Sequence, residues 1–333
     1  MKRRLPRSMV ATLVLSVLAG NAAALELPDW TLPGSDDHPL LGTLWHGDGT
    51  QVTLEELGSA IGGAKHVAIG EIHSNPDHHR IQAAVISELA EHGRRPTIVF
   101  EMIPESRDAD LQKFLDSGKS SADELGAVLE WDGSGWPDWT IYKPIAETAL
   151  SHRLPMKAGG LDKEAVGSLA RTGLSSLAPE RQDALALSVP FNPDDEARLR
   201  NILFDGHCGF VPRDALDPML LVQRARDGAM ANAIEEAANS EGTVLIAGAG
   251  HVRTDWAVPA ILSNRLPDEA SLALGLVEVR PDGLTWHDYT ESVMPYDFVL
   301  FTTRSETDDP CVALKERFKK HAAPAASQSG GDE

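Results

Sequence analysis

The feature that most constrains the fold is a set of short, almost entirely apolar runs separated by stretches with helical periodicity. Two of these runs, residues 66–72 (HVAIGEI) and 97–102 (TIVFEM), enclose a helical pattern formed by Ile81, Val85 and Leu89. Strands that are apolar throughout are typical of sheets covered on both faces, and a strand–helix–strand unit of this length is typical of parallel sheets. The sequence therefore predicts an α/β fold with a mainly parallel central sheet flanked by helices.

Three further apolar runs lie in the second half of the chain, at residues 243–249, 273–279 and 298–302. Between the two groups of strands, apolar residues such as Leu111, Phe114 and Leu125 recur at helical spacing. We therefore predict one α/β domain over about residues 40–305, with a smaller helical subdomain inserted at about 104–239. The small and polar residues 322–333 predict a disordered tail.

The first 24 residues have the organisation of a cleavable secretory signal peptide. Four Lys and Arg residues precede an apolar run at residues 9–20, and Ala22 and Ala24 supply small residues before a cut after Ala24. The apolar run is shorter than the roughly 20 residues of a membrane-spanning helix, so we expect no transmembrane segment. A lipobox cysteine is also missing, since the first cysteine is Cys208. These features predict a periplasmic or secreted protein.

Charge and cysteine content narrow the classes of function further. The chain has 50 Asp and Glu against 30 Lys and Arg, a formal net charge of -20. Nucleic-acid binding needs a basic face, so this class is excluded.

In an oxidising compartment, two cysteines predict one disulfide between Cys208 and Cys311. Metal binding by the thiolates is the alternative, although the CxxC spacing of such sites is absent.

Polar side chains stand at or just after the ends of three predicted strands. Glu71 and His73 end the first, Glu101 lies near the end of the second, and His251 and Arg253 follow the strand at 243–249. The carboxyl ends of neighbouring parallel strands share one crevice, where ligands bind. Glu71 and His73 are two residues apart on a strand and therefore point to the same side. We expect all five side chains to converge there.

Two imidazoles and two carboxylates in one crevice support three kinds of role. His73, Glu101 and His251 can ligate a divalent metal ion that activates water. The same residues and Glu71 can act as a general acid and base without metal, with Arg253 stabilising the negative charge that develops in the reaction. They can also form a hydrogen-bonded network that only stabilises the fold. The segment GAGHVR at 248–253 lacks the full GxGxxG pattern, which excludes a nucleotide site.

Several motifs resemble the ChaN-like family, bacterial haem-binding uptake proteins of the Tiki superfamily that are distantly related to TraB-like and erythromycin esterase-like proteins. The motifs are GEIHSNPDHHRIQ (70–82), VFEM (99–102), HCG (207–209), QRARDGAMA (223–231) and IAGAGHVRTDWAVPAIL (246–262). The resemblance spans about residues 40–305. It implies an α/β core with a smaller helical part, export to the periplasm or outer membrane, and a role in haem or iron acquisition. Many ChaN-like proteins are lipoproteins, and this chain differs from them in lacking the lipobox cysteine.

The resemblance also implies roles for particular residues. The paired GxxH motifs of the superfamily fall on residues 70–73 and 248–251, and its acidic residue falls on Glu101. In the peptidase and esterase relatives such residues act as metal ligands or as an acid/base set. The likeness thus points to the same crevice as the strand ends.

Haem binding requires an axial ligand, for which tyrosine oxygen, histidine nitrogen and methionine sulfur are suitable. Tyr142 lies in WPDWTIYKP, where two tryptophans offer an apolar wall and Lys143 offers a partner for a propionate. We therefore predict Tyr142 as the cofactor-binding residue, with His78 and His207 as alternative ligands. Ordinary packing of aromatic residues at a helix start would explain the same segment.

Two functions follow. The first is a periplasmic haem-binding protein of a haem or iron acquisition system, with haem held between two copies of the chain in a possible homodimer. The second is a metal-dependent or acid/base hydrolase of peptidase or esterase type that uses Glu71, His73, Glu101 and His251. A structural protein whose crevice has lost activity is a third alternative.

Overall fold

The computed structural model describes residues 25–237, 241–305, 311–312 and 314–315. The predicted signal peptide and the predicted tail lie outside these residues. The described strands are β1 (Leu44–His46), β2 (Gln51–Val52), β3 (His66–Glu71), β4 (Thr97–Pro104), β5 (Met156–Gly160), β6 (Thr243–Gly248), β7 (Ser271–Glu278) and β8 (Phe298–Thr302).

The described α-helices are α1 (Leu54–Gly63), α2 (Pro76–Glu91), α3 (Asp108–Asp116), α4 (Ala122–Val128), α5 (Trp139–Ser151), α6 (Lys163–Thr172), α7 (Pro179–Ala184), α8 (Pro193–Gly206), α9 (Asp217–Ala237) and α10 (Val258–Arg265). Among these residues no helix is both long enough and apolar enough to cross a bilayer.

The eight strands form one sheet in the order β2-β1-β8-β7-β3-β6-β4-β5. The strands from β8 to β5 pair in parallel, whereas β1 pairs antiparallel with both β2 and β8. All five predicted strands are present, as β3, β4, β6, β7 and β8. The predicted α/β class with a mainly parallel central sheet is therefore confirmed.

The two faces of the sheet are covered by different helices. On β6, Val244 and Ile246 pack into the core beneath α1, α2 and α5, while Leu245 and Ala247 pack against α9 and α10. This alternation follows from the two-residue period of a strand. It explains why the central strands read as continuous apolar runs, since neither face meets water.

The segment at 104–239 is less uniform than its helical periodicity predicts. It contains α3 to α9, but it also contains β5, which pairs in parallel with β4 and forms one edge of the sheet. The sequence of β5, MKAGG, contains a lysine and two glycines and has no β-branched or aromatic residue, so no strand pattern is visible in it. The segment is therefore mostly helical, but it also contributes one edge strand to the sheet.

The predicted disulfide between Cys208 and Cys311 is present and joins residues 103 positions apart. Closure of a loop of this length restricts the unfolded chain and stabilises the fold by about 4–5 kcal/mol in the chain-entropy account.

Candidate functional site

Four of the predicted side chains meet at the carboxyl ends of the central strands, as expected from the sequence: Glu71, His73, Glu101 and His251. His73 Nδ1 lies 2.8 Å from Glu71 Oε1. His73 Nε2 lies 3.9 Å from Glu101 Oε2, and His251 Nε2 lies 3.2 Å from Glu101 Oε1. The central strands β3, β4 and β6 position these groups. We call these four residues the carboxylate–histidine cluster.

Helix α2 begins directly after His73 and fixes the first half of the cluster. Asn75 caps the helix, because its side-chain oxygen accepts hydrogen bonds from the backbone N–H groups of Asp77 and His78. Pro76 occupies the first helical position, where its missing N–H costs nothing. The chain therefore turns sharply from strand to helix, which leaves the His73 side chain at the carboxyl end of β3.

Glu71 is buried and ionised. Its Oε1 accepts hydrogen bonds from His73 Nδ1 and from the Tyr142 hydroxyl at 2.8 and 3.0 Å. Its Oε2 lies 3.0 Å from His79 Nδ1. Burial alone would raise the pKa of Glu71, but the attraction of His79 and the hydrogen bonds from His73 and His79 hold that pKa far below its usual range. His79, whose own pKa is raised chiefly by Glu71 against the opposing effect of burial, supplies the countercharge.

His73 is the member of the cluster that is open to solvent, with a side chain that is 32% exposed. An ionised Glu71 can only accept, so His73 Nδ1 carries the hydrogen, and Nε2 of the neutral ring carries the lone pair. The distance of 3.9 Å from Nε2 to Glu101 Oε2 is too long for a hydrogen bond. The ring packs against Trp136, with the ring centres 4.8 Å apart. His73 therefore presents an oriented nitrogen with a free lone pair.

Gly248 lies directly beside this nitrogen. A Cβ atom at this position would be 2.8 Å from His73 Nε2, closer than van der Waals contact allows. Gly248 also donates its backbone N–H to Glu101 Oε2 at 2.8 Å. The glycine of the second GxxH motif thus makes room for the histidine of the first.

Glu101 lies at the centre of the cluster. Its Oε1 accepts from His251 Nε2 and lies 3.4 Å from an Arg226 guanidinium nitrogen. Burial acts to raise the pKa of Glu101, but attraction to His251 and the hydrogen bonds from His251 and Gly248 lower it to about 2. Glu101 is therefore a carboxylate at neutral pH.

His251 is held between two carboxylates. Its Nδ1 lies 2.6 Å from Asp227 Oδ1, and its Nε2 faces Glu101. Burial opposes charge on the ring, but the two carboxylates outweigh it and raise the pKa of His251 to about 10. Burial also raises the pKa of Asp227 to about 6, against the attraction of His251. At neutral pH His251 is a buried imidazolium.

Sequence reasoning missed Asp227 and Arg226, which both lie on α9. Their signal was present, because both stand in the family motif QRARDGAMA at 223–231. The predicted position of Arg253 was incorrect. Its guanidinium pairs with Asp255 at 2.6 and 3.0 Å and lies 3.8 Å over the Trp256 ring. The cation that contacts the cluster is Arg226.

Tyr142 and His78 do not fit the role of haem ligand that was predicted for them. Tyr142 is fully buried, and its hydroxyl donates to Glu71. Burial and the nearby carboxylates raise its pKa above the usual range, which disfavours a phenolate. His78 is also fully buried, and both ring nitrogens are engaged, with the Ile72 backbone N–H and the Thr302 hydroxyl. His207 Nδ1 donates to the Leu203 carbonyl oxygen at the end of α8, and the role of His207 as an alternative ligand stays a prediction.

The predicted divalent metal is not supported either. Within the described part of the chain, no group of three or more His, Cys, Asp or Glu side chains is placed to hold a metal ion. The close contacts of the cluster are instead carboxylate–imidazole hydrogen bonds. Both ring nitrogens of His251 and Oε1 of Glu101, which a metal ion would need, are already paired in this way.

A cavity of about 500 Å³ opens beside the cluster, with Glu101 and Arg226 in its wall. Trp131, Trp136 and Leu161 form apolar parts of the same wall, and basic and acidic residues from the neighbouring loops complete it. Its volume lies within the range of cofactor sites in proteins. The cavity therefore brings an aromatic surface next to Glu101 and Arg226.

A family model described as haem-binding uptake, Tiki superfamily, ChaN, matches residues 58–262. The chain belongs to this ChaN family. No curated protein matches it. Among solved structures it is similar to ChaN of Campylobacter jejuni, described as cofacial haem binding, with 17% identity over 77% of this chain and 95% of that chain and a TM-score of 0.61. At that identity, the likeness supports the shared ChaN fold.

Two further structures overlap much of the chain with lower TM-scores. The type III effector HopBA1 is 14% identical over 74% of this chain and 93% of that chain, with a TM-score of 0.39. The erythromycin esterase EreC in its open conformation is 15% identical over 80% of this chain and 82% of that chain, with a TM-score of 0.38. Neither TM-score is high enough to support an inference about this ChaN-family chain.

Proposed function

We propose that this protein binds haem in a haem or iron acquisition system outside the cytoplasm. The observation that carries the proposal is His73, a histidine that is oriented by Glu71 and packs against Trp136 of the cavity wall, in a chain of the haem-binding ChaN family. The signal-peptide pattern and the disulfide support a location in the periplasm or outside the cell.

The residues at the site fit a haem group. Haem iron accepts a histidine nitrogen, and a ligating histidine almost always donates its other N–H to a carboxylate or carbonyl group. His73 and Glu71 have this arrangement. His73 would hold the iron, and Trp136 would pack against the macrocycle. Bound haem would supply an iron centre, which is the cargo of an uptake protein.

Cationic side chains of the cavity wall would meet the propionates. Lys163 and Arg226 both line the cavity, and Arg226 also lies 5.9 Å over the Trp136 ring. A cation on the same wall as an aromatic surface suits a flat molecule with carboxylates at one edge. These two residues replace Lys143, which instead pairs with Asp123 at 2.8 Å.

The haem proposal is tested by titrating the mature protein with hemin. We expect a saturable Soret band that differs from free hemin, and we expect His73→Ala to shift that band and weaken binding by about tenfold or more. His287→Ala, at an exposed histidine, is the matched control and leaves both unchanged. An identical spectrum and affinity for His73→Ala would exclude this residue as the ligand. No saturable band at all would exclude haem binding.

We further propose that two copies of the chain pair with their haems between them. The Campylobacter jejuni relative is described as binding haem cofacially, which supports this arrangement. Light scattering with and without hemin tests it: a mass that doubles on addition of hemin is expected, and a monomer in both conditions would contradict it.

An acid/base hydrolase is the second candidate function. It is favoured by the two histidines that are each oriented by a carboxylate, His73 by Glu71 and His251 by Asp227. A base that is itself oriented by a third group is typical of hydrolytic sites. In this proposal His73 takes the proton of the attacking water, while Arg226 in the cavity wall stabilises the negative charge that develops on the substrate. Hydrolysis of ester substrates that is abolished by His73→Ala but retained in metal-free buffer would support it, and inactivity towards such esters would contradict it.

A further inference from the structure

A second cavity, of about 400 Å³, lies between the segment 186–195 and helices α9 and α10. Val189, Phe191 and Ile261 form apolar parts of its wall, together with one face of Trp256. No described residue lines both this cavity and the one beside the cluster. It is therefore a separate space, which we call the α9–α10 cavity.

Two buried polar atoms belong to residues of this wall and have no hydrogen-bond partner among the described residues. They are Asp227 Oδ2, an acceptor, and Trp256 Nε1, whose hydrogen can only be donated. Asp227 is 1% exposed and Trp256 is 7% exposed. A buried polar atom without a partner costs about 1–3 kcal/mol, so such atoms usually mark a bound molecule or water.

The other charged side chains of the wall already have partners inside the protein: Asp195 with Arg198, Asp255 with Arg253, Arg224 with the Val189 carbonyl oxygen, and Arg265 with Glu235. The buried carboxylate of Asp227, which attracts Arg224, disfavours an anionic ligand. Arg224 and Arg265 in the same wall also disfavour a cationic ligand for Asp227. Among the buried polar atoms of the described wall, one acceptor and one donor remain without a partner, next to the apolar side chains named above.

We propose that the α9–α10 cavity binds a small, neutral and largely apolar molecule that carries a hydroxyl group. The hydroxyl donates its hydrogen to Asp227 Oδ2 and accepts from Trp256 Nε1, while the apolar part packs against Phe191, Val189 and Ile261. The bond to the carboxylate is charge-assisted, which favours a hydroxyl over an ether or a hydrocarbon. The proposal does not depend on haem binding.

Asp227 connects this cavity to the carboxylate–histidine cluster. Its Oδ1 holds His251 Nδ1 at 2.6 Å, while Oδ2 is the atom without a partner. A hydroxyl on Oδ2 therefore draws electron density from the carboxylate that orients His251. Binding in the cavity is expected to change the NMR signals of the His251 ring.

Phenol and toluene are the probes for this site, since they differ only in the group that replaces one ring hydrogen. In calorimetric titrations of the full mature protein, we expect phenol to bind saturably with one-to-one stoichiometry. Toluene is expected to bind about tenfold more weakly or not at all. Equal binding of the two probes, or no saturable binding at millimolar phenol, would overturn the proposal.

Variants and a second ligand make the test specific. Trp256→Phe keeps the aromatic wall but loses the N–H, so phenol binding should weaken about tenfold, whereas Trp286→Phe, a buried tryptophan in another cluster, should leave it unchanged. Ala260→Phe fills the cavity and should abolish phenol binding, which keeps the proposal testable if Trp256→Phe does not fold.

Phenol should also bind alongside hemin. Displacement of phenol by one equivalent of hemin would show that the two share a site and would overturn the proposal.

Discussion

His251 Nδ1 and Asp227 Oδ1 lie 2.6 Å apart and join the turn after β6 to helix α9. On the other side of the ring, Glu101 Oε1 lies 3.2 Å from Nε2. Three charged groups are therefore buried together, which costs desolvation free energy unless each stays paired. This arrangement makes Asp227 a positioning residue, because it acts on the cluster only through His251.

We expect Asp227→Asn to lower the pKa of His251, because one of the two carboxylates that stabilise the imidazolium is lost. The free energy of unfolding should fall by about 1–3 kcal/mol, since a charged hydrogen bond is replaced by a neutral one. NMR titration of the ring and urea unfolding at neutral pH measure the two effects. Asp214→Asn, at an exposed carboxylate, is the control. An unchanged His251 titration would contradict the assigned contact.

Because His78 is buried, we expect the free energy of unfolding to fall in acid. Burial and the charge of His79 lower its pKa from 6.5 to about 3. The unfolded chain therefore binds a proton that the folded protein excludes between these pH values. The contribution to stability is complete above pH 6.5 and is lost as the pH falls towards 3, with a slope of up to about 1.4 kcal/mol per pH unit.

His78→Gln should remove that dependence of stability on pH, because glutamine does not titrate. Its side-chain amide can keep both hydrogen bonds of the histidine, accepting from the Ile72 N–H and donating to Thr302 Oγ1. Urea unfolding of both proteins from pH 7 to pH 4 measures it. The variant should lose less stability than the parent over this interval. His92→Gln, at a histidine that is 45% exposed, should follow the parent. Parallel curves for parent and His78→Gln would contradict a neutral His78.

The sequence allowed the cluster to be predicted because three of its residues lie at or next to strand ends, and Glu101 directly follows the last residue of β4 that pairs with β6. Because β3 and β4 both pair in parallel with β6, the carboxyl ends of these three strands lie on the same side of the sheet. This placement does not depend on how the helices pack. Asp227 could not be placed in this way. It stands in the middle of α9, and which residues of a helix face the sheet edge depends on how the helix packs.

Local competition explains the errors at two other positions. Arg253 has Asp255 two residues away, and this near neighbour takes the guanidinium that was expected to face the cluster. Tyr142 lies on α5, which packs its buried face onto α2, so the hydroxyl reaches Glu71 from inside the protein rather than from the cavity. Burial of a single residue depends on the packing of both helices and cannot be read from the segment WPDWTIYKP alone.

Tyr142→Phe separates a structural role from haem ligation. The hydroxyl donates to Glu71, so its loss should lower the free energy of unfolding by about 1.5–3 kcal/mol, the range for hydrogen bonds to charged groups. The Soret band of the hemin complex should keep its position, because the phenol does not reach the iron. Urea unfolding and absorption spectra measure these effects, with Tyr289→Phe as the control. Loss of a phenolate-type spectrum in Tyr142→Phe would instead restore this residue as the ligand.

Gly248→Ala should disturb the site without changing its charges. The new Cβ would lie 2.8 Å from His73 Nε2, so the ring must move from the place where it meets Trp136. The backbone itself tolerates alanine, since Gly248 has φ -57 and ψ 144. We expect hemin affinity to fall about tenfold, with a far-UV circular dichroism spectrum like that of the parent.

Two comparisons decide whether this loss acts through His73. Gly62→Ala, in α1 with no atom within 4 Å of the new Cβ, should bind hemin as the parent does. In a double-mutant cycle, adding Gly248→Ala to His73→Ala should cost no further affinity, because the ring that the methyl group displaces is already gone. Additive losses in that cycle would mean that Gly248 affects haem through the Glu101 hydrogen bond and not through the position of His73.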